Sequence, residues 1–206
     1  MNVLQAIRER RAVRDYTAEP VSAGRIYQLI SSASWAPSAM NEQPCHFTVV
    51  TDAELLGEMS VRAKAWLLKN VWSMPRSSLF RDLLNDDKFH LFYRAPALIL
   101  ISAPSWDQWV TEDCALAAQN LMLTATYLGL GTCWIGFAQG WLNSPEGREL
   151  LNLSNQNLCV APIIVGHPKA LLPPVERKAP VIAWVGSAQQ LQASTHPRIV
   201  GRSHEG

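Results

Sequence analysis

Apolar residues recur at helical spacing twice near the start of the chain. Val3, Leu4 and Ile7 share one face of a segment that Asn2 can cap, which predicts a short helix over residues 2–9. After "EPVS", Ser22 can cap a second helix, with Val21 and Ile26 placed as a hydrophobic staple. Its buried face is Ile26, Leu29, Ile30 and Ala33, and Pro37 stops it. "HFTVV" (46–50) and "ALILISA" (97–103) are short, apolar and β-branched, so both are predicted to be buried strands. Residues 53–92 are helical and mixed, with Trp66, Trp72, Phe80, Phe89 and Phe92 scattered among charges. They form either an aromatic-lined cover or ordinary amphipathic helices.

The clearest helix is "TEDCALAAQNLMLTATYLGLG", residues 111–131. Thr111 is its expected cap, Glu112 and Asp113 oppose its positive end, and Gly129 or Gly131 ends it. Apolar side chains surround it, so it belongs at the centre of the molecule or in a subunit interface. "TCWIGF" then leads toward a loop, "SPEGRELLNL" is a short helix, and "CVAPIIVGHP" is another buried strand. Strands and helices alternate only part of the time, which favours α+β, or a mixed sheet wrapped by helices, over a doubly wound sheet.

Composition narrows the function classes. The chain has 206 residues, 48% of them hydrophobic, enough for one domain with a substantial core. Its net charge of +1 provides no global field for nucleic acid or an anionic membrane. Cys45, Cys114, Cys133 and Cys159 show neither C-x-x-C nor zinc spacing, so no metal site is expected and the thiols read as reduced, mostly buried hydrophobes. That pattern, with no signal sequence and no apolar run near 20 residues, leads to an expectation of a cytoplasmic protein outside the membrane.

Three stretches can carry chemistry. "RERRAVR" places Arg8, Arg10, Arg11 and Arg14 close together, suited to a phosphate or other anion, or else to a solvated helix end. "WAPSAMNEQP" offers Ser38, Asn41 and Gln43 among small neighbours, or is a polar turn. "GTCWIGF" either brings glycine-flanked backbone to a flat ligand or is a strand entering the core. Neither a G-x-G-x-x-G after a strand nor a P-loop is present, which disfavours both kinds of nucleotide fold.

The order of these stretches is informative. R-R-x-x-R with its tyrosine and "T-x-E-P-V" is followed by "WAPSAMNEQPCHFTVV", "FYRAPALILI", "EDCALAAQNLMLTATYLGLGTCWIGF" and "APIIVGHP". From about residue 6 to 186 this series resembles the FMN-dependent nitroreductase family. The resemblance implies a nitroreductase-like α+β fold: a central mixed, mainly antiparallel sheet surrounded by helices, in an intertwined homodimer with both sites at the interface. It implies one FMN-binding domain over 1–186 and a tail, 187–206, that wraps the partner or is disordered.

The resemblance also assigns residues. Arg10 would hold the FMN phosphate and Arg14 the pyrimidine edge, with Arg11 and Ala12 between them. Pro37, Ser38, Ala39, Asn41 and Gln43 would reach the flavin from the partner subunit. Ile135 and Gly136 would present backbone to the ring, Arg177 or Lys178 would complete the phosphate site, and Asn70 would donate to the pyrimidine. Ala12, Met40 and Cys45 depart from residues common in the family, which leaves the pocket shape open. The implied activity passes a hydride from NADH or NADPH through FMN to a small aromatic acceptor, a nitroaromatic or a quinone. Other reductions on the same fold (dehalogenation, ene or flavin reduction) and slow redox sensing are the alternatives. No acid–base triad is needed, because the cofactor does the chemistry.

Overall fold

Strand β2 (Ala97–Pro104) organises the molecule: Ala97 to Ala103 are all buried, so it is covered on both faces. The computed structural model describes residues 1–70, 77–106, 108–173, 175–183 and 185, with backbone alone for 77–80. Trp72, the Phe80 side chain and the tail 187–206 lie outside the described residues. Two compact units emerge, Met1–Pro173 and Pro174–Gly206, and every helix and strand described belongs to the first.

In that unit β1 (His46–Val50), β2, β3 (Gly131–Trp134) and β4 (Asn157–Gly166) form a sheet in the order β1-β2-β4-β3, with every neighbouring pair antiparallel. One parallel bridge, Ala12 to Thr132, extends the β3 edge and makes the sheet mixed. Side chains alternate along β2 as a strand requires. Leu98 and Leu100 face a core containing Met59, Ala63 and Leu67 of α3 (Ala53–Asn70) and Trp141 of α6 (Gln139–Leu142). Ile99 and Ile101 face a second core built on Leu29 of α2 (Ala23–Ser34) and Cys114, Ala118 and Leu121 of α5 (Val110–Tyr127). Burying each such Leu or Ile contributes roughly 1.5–3 kcal/mol, so these two layers dominate the stability.

The caps of the early helices match the sequence reading. Asn2 accepts from the Gln5 N–H ahead of α1 (Val3–Glu9), and Ser22 accepts from Arg25 ahead of α2. Residues 53–92 yield α3 and α4 (Ser77–Asn85), and the "SPEGREL" helix is α7 (Pro145–Leu150), capped by Ser144. One local reading is corrected and one alternative is selected. Helix α5 begins at Val110, so Thr111 is inside it, and Trp109 occupies the cap position without a side-chain capping bond. Burial of Val110 seats the first turn in the core and starts the helix early. "TCWIGF" is a strand through Trp134 before it turns, because β4 on one side and Ala12 on the other satisfy its backbone. Gly129, at φ +74°, ends α5 as expected of a left-handed helix terminus.

Candidate active site

The turn after β3 forms one wall of a cleft of about 360 Å3, within the range of small-molecule sites. Cys133, Trp134, Ile135, Gly136 and Phe137 line this wall, with Arg14 beside them. Arg14 is held there by its chain neighbours: the Val13 N–H donates to the Thr132 carbonyl at 2.9 Å, and Ala12 pairs with Thr132. Gly131 permits this approach, since a Cβ there would sit 2.7 Å from the Val13 side chain. Leu83, Phe89, Leu91 and Tyr93 form the opposite wall.

That second wall is held by unusual means. Lys64 is buried in α3, and its ammonium donates to the carbonyls of Asp86 and Phe89 at 3.0 and 2.9 Å. The Ser60 hydroxyl accepts from the Leu91 N–H at 2.8 Å, and the His90 Nδ1 accepts from the Phe92 N–H at 3.1 Å. Tyr93 and Arg94 then adopt left-handed backbone, φ +53° and +51°, which costs non-glycine residues of order 1–3 kcal/mol each. The result turns the Tyr93 ring toward Arg14 and edge-on to Phe89.

The cleft is cationic. Burial pushes the Cys133 thiol pKa upward, opposed by the charges of Arg14 and Arg10, and Arg14 lines the cleft directly. Neither Arg10 nor Arg14 forms an ion pair among the described residues. Arg11 is occupied instead: it donates to the carbonyls of Arg8, Arg10 and Pro173. The Ile135 N–H is likewise spent on the Pro162 carbonyl at 2.8 Å. Gly136 is exposed, and a Cβ there would meet nothing within 4 Å, so the protein leaves open space above its backbone. The Arg14 cation, aromatic walls and accessible glycine backbone fit a flat anionic cofactor such as FMN.

The second half of the expected site is on the other face of the sheet. Pro37, Ser38 and Gln43 border a separate cavity of about 110 Å3, with Cys45 and Asp113, beside the α2–α5 core. Ala39 and Asn41 form a 3-10 turn between them, and Met40, Asn41 and Gln43 all have positive φ. A chain's own loop therefore does not line its own cleft. Asn70, at the end of α3, donates to the Trp66 carbonyl at 2.8 Å and is not a cleft residue here. Arg177 and Lys178 are exposed residues of the second unit.

The sequence reading missed several residues. Tyr93 was visible only as a letter of "FYRAP", because its left-handed backbone leaves no composition signal. Lys64 has the sequence context of a surface helix charge. Asp113 has the sequence context of a helix-dipole partner, whereas its Oδ1 accepts from the Ala39 N–H across 74 residues at 3.0 Å.

Comparison with known proteins identifies the constellation. The profile of the nitroreductase family matches residues 7–167. An Archaeoglobus fulgidus protein provisionally named NADH dehydrogenase/NAD(P)H nitroreductase is 32% identical over 166 residues, covering 81% of this chain and 85% of that protein. The NAD(P)H FMN reductase of Bacillus subtilis is 28% identical over 174 residues, covering 81% and 66% respectively. The Bacteroides fragilis nitroreductase solved with bound FMN superposes with a TM-score of 0.80 at 28% identity, over 90% of this chain and all of that one. The fold, the cation-lined cleft and these matches agree: the chain belongs to the nitroreductase family.

Proposed function

We propose that this chain is an FMN-dependent NAD(P)H oxidoreductase acting on a small planar acceptor such as a nitroaromatic or a quinone. The observation that carries the reading is Arg14, which forms no ion pair among the described residues, in one cleft with the open backbone of Gly136. Bound FMN supplies the two-electron chemistry between NAD(P)H and acceptor.

The protein's part is to bind, orient and exclude water. Arg10 holds the phosphate, and Arg14 provides a fixed positive charge for the pyrimidine end, which favours the reduced cofactor. Gly136 lets the ring approach the main chain, with Ile135 fixed behind it by Pro162. Ala12 positions Arg14 through the β3 bridge, and Arg11 supports the same segment through carbonyl contacts. Phe89, Tyr93 and Phe137 exclude water from the open side of the cleft.

A homodimer completes this site. Pro37, Ser38, Ala39, Asn41 and Gln43 are turned away from their own cleft and supply the amide and hydroxyl groups for the partner's. Supporting this, α1 exposes Val3, Leu4 and Ile7 (65%, 61% and 51%), Trp35 before the loop is 84% exposed, and Met40 within it is 90% exposed. Apolar surface of this kind is normally covered. No helix among the described residues is long and apolar enough to cross a membrane. Four free thiols support a reducing, cytoplasmic setting.

The test is an absorbance spectrum of freshly purified protein, before and after anaerobic NADH or NADPH. A yellow protein that bleaches is expected. A colourless protein that cannot be reconstituted with FMN would sink the reading, and a yellow one that does not bleach would remove the nicotinamide donor.

A further inference from the structure

We propose that Asp113 is the positioning residue of the cofactor loop, presetting residues 37–43 from helix α5 before any ligand arrives. The proposal rests on the FMN reading and names a residue outside the loop on which that binding depends.

Asp113 is 3% exposed, and its two oxygens have different environments. Oδ1 accepts the Ala39 N–H at 3.0 Å. Oδ2 has no partner among the described residues, although the residue borders the cavity shared with Ser38, Gln43 and Cys45. A buried carboxylate satisfied on one oxygen is costly, so its retention by the core alone is not explained by stability.

Spacing provides the rest of the argument. Asp113, Ala117 and Asn120 are at i, i+4 and i+7, on one face of α5. Asn120 donates to the Ser32 carbonyl at 3.2 Å, near the end of α2. Ala117 borders the same cavity as the loop. One helix face therefore fixes both ends of the connection from Ser32 to Ala39. The loop needs that support, because three of its non-glycine residues, Met40, Asn41 and Gln43, are held at φ near +50°. Within the loop the Ser38 hydroxyl accepts the Gln43 N–H at 2.9 Å, closing a unit whose anchor point is Ala39.

Two variants remove the same hydrogen bond from opposite sides. Asp113→Ala deletes the acceptor. Ala39→Pro deletes the donor, at the first position of a 3-10 turn preceded by the extended Ser38 (φ −135°, ψ 156°), where proline is accommodated. Apoprotein is titrated with FMN by flavin fluorescence quenching, and apoprotein melting is followed by circular dichroism. Asp113→Ala should weaken FMN binding about tenfold, since a hydrogen bond to a charged group is worth about that factor or more. Asp113→Asn, whose amide oxygen can still accept from Ala39, should stay within about threefold of wild type. The double variant Asp113→Ala/Ala39→Pro should be no weaker than the worse single variant, as for two changes that remove one interaction.

Wild-type-like FMN affinity in Asp113→Ala, no rescue by Asn, or fully additive losses in the double variant would each overturn the proposal while wild type still binds FMN. If Asp113→Ala does not fold, the comparison of Ala39→Pro with Asp113→Asn decides: equal affinities in those two refute it. Wild-type protein that binds no FMN would instead remove the cofactor reading and this role with it.

Discussion

The Arg14 guanidinium carbon lies over the Tyr93 ring, 6.0 Å from its centroid. The pair joins the two walls of the cleft, one fixed by the sheet and the other by the strained turn at residues 90–94. A cation over an aromatic face is worth about 0.5–1 kcal/mol where solvent reaches it. Tyr93→Ala should therefore raise the FMN dissociation constant about three- to fivefold, while Tyr93→Phe, which keeps the ring, stays near wild type. Arg14→Lys preserves charge but loses the planar fork, so it should fall between Arg14→Ala and wild type in a fluorescence titration.

Four described glycines leave no room for a methyl group, and two of them, Gly131 and Gly140, are informative about the cleft and its support. A Cβ on Gly140 would lie 2.6 Å from the Trp66 ring, where α6 meets α3. Gly140→Ala should cost about 1–3 kcal/mol, read as a lower urea midpoint at unchanged slope. Gly131→Ala would push on Val13, next to Arg14, and should weaken FMN binding as well as stability. Loss of stability with unchanged FMN affinity would show that the Arg14 segment absorbs the shift.

The four thiols should react unequally. Burial pushes Cys159 up to about 12 and raises Cys133, while Cys114 is raised first by the hydrogen bond it shares with Cys45 and then by burial. That same hydrogen bond lowers Cys45, which is also the half-buried one. At pH 8 the native protein should take up one equivalent of a thiol reagent, mapped by mass spectrometry to Cys45, and four in denaturant. Labelling of Cys159 first would contradict the arrangement.

His90 should make stability depend on pH. Burial first, then the charges of Arg94 and Lys64, holds its imidazole below the ordinary 6.5. The unfolded chain therefore takes up this proton before the folded one does. Its contribution is fully present above about 6.5 and is lost as pH falls from there toward the lower folded value. His90→Asn keeps an acceptor for the Phe92 N–H and does not titrate. Its urea midpoint should lose less than that of wild type between pH 7.5 and 5.

Much of the scaffold was legible because local rules decide it. Asn2 and Ser22 cap where cap chemistry predicts, and the β-branched runs at 46–50 and 97–103 are strands because they are short, apolar and bounded. The failures have a common physical origin in long-range placement. Thr111 lost its capping role once Val110 was drawn into the core. Tyr93, Lys64 and Asp113 acquire their roles from partners 22 to 79 positions away, through backbone carbonyls, a left-handed turn and a cation from the N-terminal segment. Periodicity carries no record of such partners. The arginine segment was readable as a group, yet only the fold separates Arg14, which faces the cleft, from Arg11, which is consumed by carbonyls.

The single parallel bridge between Ala12 and Thr132 divides the cleft into parts with different freedom to vary. Arg14, Ile135 and Gly136 are tied to the sheet by the Ala12–Thr132 bridge and the Ile135–Pro162 hydrogen bond, so a change there touches cleft and scaffold together. Leu83 and Phe89 belong to a separate stretch, secured by Lys64 and Ser60 through main-chain atoms and by the burial of Leu84, Leu91 and Phe92 in the core. Leu83 and Phe89 can thus vary while the arginine side of the cleft is kept, and a laboratory library confined to those two positions begins from the same division of labour.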